Sequence, residues 1–151
     1  MRAQMDGREV VQVLSGLDHP VGITIDVDDS RLLWSEYGAH KICFSALNGT
    51  EIHVLASRET DTHNGGPAVR YPWGIALHND YVYWGNFHDS TLQRCSKWGG
   101  SEVETLLRGQ GHVQQLTTTK WNFPRTRPND CEGQICSHIC VLTRSSHRCV
   151  R

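Results

Sequence analysis

From Val21 onward the chain alternates. Val21, Ile23 and Ile25 fall on one side of a two-residue period, and Gly22, Thr24 and Asp26 on the other. That period marks a strand with one buried face. A polar turn leads to an aromatic-bearing strand over Arg31–Ser35. A second turn leads to a strand over Lys41–Leu47, and an Asn-Gly turn leads to a strand over Glu51–Leu55. The same order returns further on. Trp73, Ile75 and Leu77 alternate after Pro72, and strands are predicted over Tyr81–Gly85, Thr91–Lys97 and Glu102–Leu107. The Asn48-Gly49 and Gly99-Gly100 turns can supply the positive φ that a tight hairpin needs.

These two runs are copies of one unit. His19-Pro20-Val21-Gly22-Ile23 aligns with Tyr71-Pro72-Trp73-Gly74-Ile75 at an offset of 52, and Leu32-Leu33-Trp34 with Val82-Tyr83-Trp84 at 50. Ile52-His53-Val54-Leu55 aligns with Val103-Glu104-Thr105-Leu106 at 51. A third, partial copy opens the chain, where Met5-Asp6-Gly7 matches Leu47-Asn48-Gly49. Four short antiparallel strands in roughly 40–50 residues is the sign of a propeller blade. A helical repeat does not fit, because no 3.6-residue apolar stripe appears and Gly and Pro recur inside each copy. The join Ala56–Tyr71 contains Thr62–Pro67 and reads as a functional loop or an insertion. His112–Thr118 reads as one further strand, and Trp121–Asn129, with two prolines, as a linker. The predicted organisation is a partial propeller over 1–118, with blades near 1–14, 19–55 and 71–108 and an extra strand at 112–118. A linker over 119–130 and a small unit over 131–151 follow.

Composition separates the two parts. The chain has 151 residues and is 38% hydrophobic and 21% charged, as an ordinary globular chain is, and no apolar run is long enough to span a bilayer. Residues 1–118 carry 9 Lys/Arg against 14 Asp/Glu, net −5, and residues 119–151 carry 6 against 2, net +4. The overall formal charge of −1 gives no electrostatic reason to bind nucleic acid. Four of the six cysteines, Cys131, Cys136, Cys140 and Cys149, crowd into the tail. So short a segment needs cross-links or a metal to hold a shape. Disulfides imply an oxidising compartment, and spacing leaves all three pairings open. Zinc, with His138 and His147 as extra ligands, is the weaker reading, since no Cys-x2-Cys pair is present. Met1–Arg8 has no apolar core and does not read as a signal peptide. A chain of extracellular type with neither signal nor anchor is expected to belong to something longer.

Leu33-Trp34-Ser35-Glu36 and Tyr83-Trp84-Gly85-Asn86 resemble the Tyr-Trp-Thr-Asp signature of low-density lipoprotein receptor class B repeats. The family's Ile-x-Arg-x-x-Leu-Asp-Gly continuation is matched by Leu92-Gln93-Arg94 through Gly99, with Phe44 in place of Arg in the first copy. Cys136-Ser137-His138-Ile139-Cys140-Val141-Leu142 is similar to a run in the epidermal-growth-factor-like module that follows such repeats. The resemblance implies an all-β fold: an incomplete YWTD-type propeller of about two and a half blades, then the start of that module. It implies Trp34, Trp84 and Arg94 as blade-signature residues. It also implies the disulfides Cys131–Cys140 and Cys136–Cys149; the family's fifth cysteine would fall at Arg151. An open propeller end exposes apolar surface, so the isolated chain is expected to be marginal, aggregation-prone or self-associating.

No catalytic motif, cofactor motif or metal site emerges. Asp26-Val27-Asp28-Asp29 invites calcium. It lacks glycine at the sixth position (Arg31) and an acid at the twelfth (Tyr37), so a turn explains it better. Asn48-Gly49-Thr50 is a glycosylation candidate. Trp73 is expected to line one face, and Trp98, in place of the family's Asp, to be exposed. Cys43 and Cys95 sit at non-equivalent repeat positions and read as buried thiols rather than a bridge. The resemblance implies receptors that release cargo in acidified compartments, which makes His40, His53, His63, His78 and His88 candidates for a pH switch. The function implied is a non-enzymatic extracellular or cell-surface binding fragment of a low-density lipoprotein receptor-related receptor. It would bind protein ligands in endocytic uptake or co-receptor signalling, with membrane attachment only through the parent's own span. The ligand-binding residues are not legible. The alternatives are a matrix-linking protein of the nidogen kind and a truncated product with no independent role.

Overall fold

The computed structural model describes residues 1–60, 69–109 and 111–118, and the backbone of 139–142 and 147–150. The alternating runs form two four-stranded sheets. The first is β1 (Pro20–Asp26), β2 (Arg31–Glu36), β3 (Lys41–Ala46) and β4 (His53–Ser57); the second is β5 (Pro72–His78), β6 (Tyr81–Asn86), β7 (Thr91–Ser96) and β8 (Gly99–Arg108). In each sheet consecutive strands are antiparallel neighbours. The eight strands of the two complete copies are all present. β8 begins at Gly99 because that glycine already pairs with Ser96 across the turn. The fold is all-β, and each sheet is a propeller blade.

The chain divides into two units, Gly16–Lys120 and a second made of Met1–Ser15 with Trp121–Arg151. The first unit holds both blades. Residues directly opposite across an antiparallel ladder share a face, so the register defines each blade's two faces. Ile75, Leu77, Val82, Trp84 and Cys95 share the leading face of the second blade. Leu33, Ser35, Ile42 and Phe44 share the trailing face of the first. Leu33, Ile42, Leu55 and Ala56 form one buried core with Ile75, Val82, Trp84, Cys95 and Val103, with Phe44 and Leu77 packed against it. The core therefore lies between the blades.

Close approach of the inner strands needs glycine. A Cβ at Gly22 would meet Trp73 O at 2.6 Å and Ile75 at 2.9 Å. The equivalent Gly74 would meet Gln114 O at 2.9 Å and Gln115 Cα at 3.0 Å. Segment 111–118 thus lies against β5 as β5 lies against β1. Where a further strand is predicted over 112–118, the segment pairs in no ladder among the described residues. Among the described residues it has no neighbouring strand of its own blade, and it bonds to blade two, as Thr118 Oγ1 donating to Leu77 O at 2.9 Å does.

In the second unit, the partial blade predicted near 1–14 is a single bridge, Arg2 opposite Val11, around the Asp6-Gly7 turn. Two short arms with no third strand among the described residues bury little, and Met5, Val10 and Val11 stay exposed. β9 (Ile139–Leu142) and β10 (His147–Val150) form an antiparallel hairpin with Cys140 opposite Cys149. Cys131 and Cys136 lie outside the described residues, so the cysteine pairing does too.

Candidate binding face

Antiparallel order brings the ends of β2, β4, β6 and β8 to the same edge as the starts of β3, β5 and β7. Aromatic residues gather there. Tyr37, just past β2, packs on Tyr71 with centroids 4.8 Å apart and edge-on to Trp73 at 5.5 Å. Trp73 lies 5.4 Å from Phe87, which holds the position after β6 that Tyr37 holds after β2. His112 stacks on Phe87 at 4.3 Å and its Nδ1 lies 2.8 Å from Phe87 O. Tyr37, Tyr71, Trp73 and Phe87 are each half-buried. The cluster is therefore held by its own ring contacts and still reaches solvent, the character of an interface anchor.

Outward along this edge the cluster meets cations. His40, Arg58, Arg70, Tyr71 and His88 line a cavity of about 220 Å³. The His40 ring stands edge-on to Tyr71 at 4.2 Å, and its Nδ1 accepts the Tyr71 backbone N–H at 3.1 Å. His88 stacks on Tyr71 at 5.9 Å. His40 and Tyr71 both hold left-handed backbone, φ 51° and 52°, as the repeat-equivalent Ser90 and His19 do at 51° each, so the conformation belongs to the turns of the blade. Burial, then the Arg58 charge, lowers the His40 pKa below that of a free histidine, against the opposing pull of Asp18.

The opposite edge carries an ionic lock between the blades. Lys97, at the β7–β8 turn, is buried with its Nζ 3.0 Å from Asp26 Oδ2 and in contact with Asp29 as well. Arg31 reaches Asp26 at 3.1 Å and Asp29 at 3.3 Å and donates to Lys97 O at 3.2 Å. Burial pushes the Asp26 carboxyl up, and the bonds from Lys97 and Arg31 outweigh it, leaving the pKa lowered. The acidic turn that invites calcium thus holds two side-chain cations. Trp98 is 65% exposed and lies over both, 4.9 Å from Arg31 and 4.8 Å from Lys97.

No family model matches the chain. Low-density lipoprotein receptor-related protein 5 of Mus musculus is 27% identical over 152 residues, 99% of this chain and 9% of that protein. Vitellogenin receptor Yl of Drosophila melanogaster is 24% identical over 155 residues, covering 98% of this chain and 7% of its own length. Low-density lipoprotein receptor-related protein 4 of Mus musculus is 29% identical over 135 residues, covering 84% and 6%. The chain is a homologue of these receptors. It spans less than a tenth of their length. A chain in the crystal structure of a nidogen/laminin complex matches with a TM-score of 0.63 at 22% identity, over 78% of this chain and 43% of that one. The fold is that of a partial YWTD-type β-propeller.

The receptor repeat explains the signature positions. Trp34 and Trp84 are buried. Trp34 Nε1 donates to Glu36 at 3.0 Å, whereas Trp84 Nε1 is buried without a partner among the described residues. Glu36 accepts the Asp18 N–H and Asn86 the Arg70 N–H, each at 2.9 Å, so either side chain fastens the strand entering its blade. Ser35 Oγ accepts from Gly22 N at 2.9 Å and donates to Trp73 O at 2.7 Å, joining three strands across the blade boundary. Gly85 replaces it in the second blade, where a Cβ would meet Val113 O at 2.5 Å. Arg94 lies on the second blade's trailing face, paired with Glu104 at 2.8 Å and over the Tyr81 ring at 4.5 Å.

Of the remaining candidates, Asn48 is exposed in the β3–β4 turn, its Oδ1 accepting from Thr50 N and Oγ1 at 3.0 and 2.7 Å. Cys43 and Cys95 are buried free thiols, both pushed up to about 12 by burial, Cys43 also by Glu36. They are unreactive in that state. Of the five histidines, His40 and His88 meet at the cavity and His53 stacks on Phe44 at 5.1 Å. His78 ends β5, remote from that edge, and His63 lies outside the described residues. Tyr37, Tyr71, Phe87, Arg58 and Arg70 were not legible as site residues. The available signal was the aromatic residue repeated directly after each signature.

Proposed function

We propose that the chain is part of the extracellular ectodomain of a receptor, a non-enzymatic module that binds protein ligands through the aromatic edge of its propeller. The observation that carries this reading is the Tyr37–Tyr71–Trp73–Phe87 cluster, contributed by both blades and half-exposed, in a chain whose relatives are receptors over nearly its full length. Such rings give large contact area at little cost in side-chain entropy. Endocytic uptake is the role we favour, with a lipoprotein of vitellogenin type as cargo. In the same reading 131–151 is the start of an epidermal-growth-factor-like module with Cys131–Cys140 and Cys136–Cys149 bridged, and Asn48 carries glycan.

The test is uptake by cells expressing the full-length parent. Trp73→Ala with Tyr37→Ala is expected to reduce internalisation of labelled vitellogenin about tenfold or more at normal surface expression, the effect of losing central aromatic anchors. Unchanged uptake by that double variant would remove this edge as the binding face.

A further inference from the structure

We propose that the cavity between His40, Arg58, Arg70, Tyr71 and His88 receives one carboxylate, an Asp or Glu side chain presented by a protein ligand. The proposal rests on reading this edge as a ligand-binding face, and it names the chemical group that face selects at its outer end.

Arg58 and Arg70 both line the cavity, and neither has an ion pair among the described residues. Elsewhere in the blades cationic side chains find acids: Arg31 and Lys97 hold Asp26 and Asp29, Lys41 holds Glu36, and Arg94 holds Glu104. Two acids beside the cavity residues have partners of their own, and Glu59, next to Arg58, is exposed. Asp18 bonds His19 at 2.7 Å, and Asp89 accepts from Thr91 at 2.8 Å. His40 has its Nδ1 occupied by the Tyr71 N–H, which leaves Nε2 as its remaining polar atom. Among the described residues, two guanidiniums, two imidazoles and a phenol ring form a site with donors and no carboxylate, which suits a planar anion bound by forked hydrogen bonds.

Size and field choose among anions. The cavity, about 220 Å³, holds one short side chain. Residues 1–118 carry a net charge of −5, so a polysulfated chain would be repelled beyond the cavity rim. A single acid on an otherwise neutral or basic protein surface meets the two arginines without that repulsion.

The test is amide NMR of the whole 151-residue chain titrated with acetyl-Gly-Glu-Gly-amide, acetyl-Gly-Gln-Gly-amide and a heparin oligosaccharide. The Glu peptide is expected to shift the Arg70, Tyr71 and His88 amides saturably, with a Kd of about 1 mM, the range of a single small contact. The Gln peptide should not. Arg58→Gln and Arg70→Gln should each weaken the Glu peptide about tenfold, the effect of losing one charge-assisted contact. Arg58→Lys should retain part of the binding, and unshifted Val82 and Val103 amides would show that each variant keeps its core. No saturable shift, equal shifts from the Glu and Gln peptides, or saturation by heparin alone would each overturn the proposal. The uptake assay with Trp73 and Tyr37 replaced reads the aromatic face separately, so either result can fail alone.

Discussion

Ile23 and Ile75 occupy the same position of the repeat, on the leading face of the inner strand, yet Ile23 is 67% exposed and Ile75 is 5% exposed. Ile52 and Val103, also equivalent, are 54% and 0% exposed. Val21, Ile25 and Val54 join Ile23 on the open face, while Trp34 and Cys43 at its base remain buried. The apolar alternation of each copy is thus the same and its burial is not. A blade's leading face is buried by the trailing face of the blade before it, and within Gly16–Lys120 only the second blade has that partner. A contiguous apolar face of this kind favours association. The second blade's trailing face differs, with the Arg94–Glu104 pair, half-buried Tyr83 and segment 111–118 across it.

The comparison is tested most strongly at the ionic lock, which has no repeat equivalent. Leu47 stands where the second blade has Lys97. Lys97→Ala leaves Asp26 and Asp29 with Arg31 as their cation among the described residues and is expected to cost about 3 kcal/mol in urea unfolding, whereas Leu47→Ala should stay within about 0.5 kcal/mol. Equal losses would mean that the lock does not fasten the blades. Next in size is the isoleucine pair. Ile75→Ala should cost about 2–4 kcal/mol and Ile23→Ala about 0.5 kcal/mol or less. In a longer chain carrying an upstream blade, Ile23→Ala should rise to the Ile75 value; if it does not, the open face is not a blade-docking face.

Ser35→Ala removes the hydroxyl that bonds Gly22 N and Trp73 O, and is expected to cost about 1–2 kcal/mol by urea unfolding. Gly85→Ala, at the matching position, should cost at least as much for a different reason, the clash with Val113. A neutral Gly85→Ala would show that segment 111–118 does not press on the second blade. The smallest expected effect is acidic. His40 has a folded-state pKa below its unfolded value, so the unfolded chain takes up a proton first as pH falls through the mid-sixes. Stability from neutral His40 is present above that range and is lost as pH falls towards the lowered pKa. His40→Asn should flatten that part of a pH–stability profile, and an unchanged slope would leave His40 without a part in it.

The strands were legible because period-two alternation, Pro before each inner strand and turn residues between strands are local features. The repeat was legible because both copies obey the same packing rule. The aromatic edge was half legible. Trp73 stood out, but Tyr37 and Phe87 read as turn residues, because the contact of Tyr37 with Trp73 crosses from one blade to the other and that of Phe87 joins the ends of two strands of the second blade. The Asp26–Lys97 pair was not legible, since its members lie 71 positions apart and one of them falls in what reads as a simple turn. The further strand predicted over 112–118 failed as a strand for the same kind of reason: pairing needs a neighbour, and pattern alone does not supply one.

The amino-acid sequence by itself determined the all-β class, the two complete blades, their strand order and the kinship with lipoprotein-receptor repeats, because hydrogen-bonded hairpins follow from local alternation and turns. The tertiary structure alone decided which apolar face is covered, which acids meet which cations, and where Arg58, Arg70 and His40 converge. Those outcomes depend on how one sheet stacks on the next. Stacking joins residues through space, and their spacing along the chain carries no record of it.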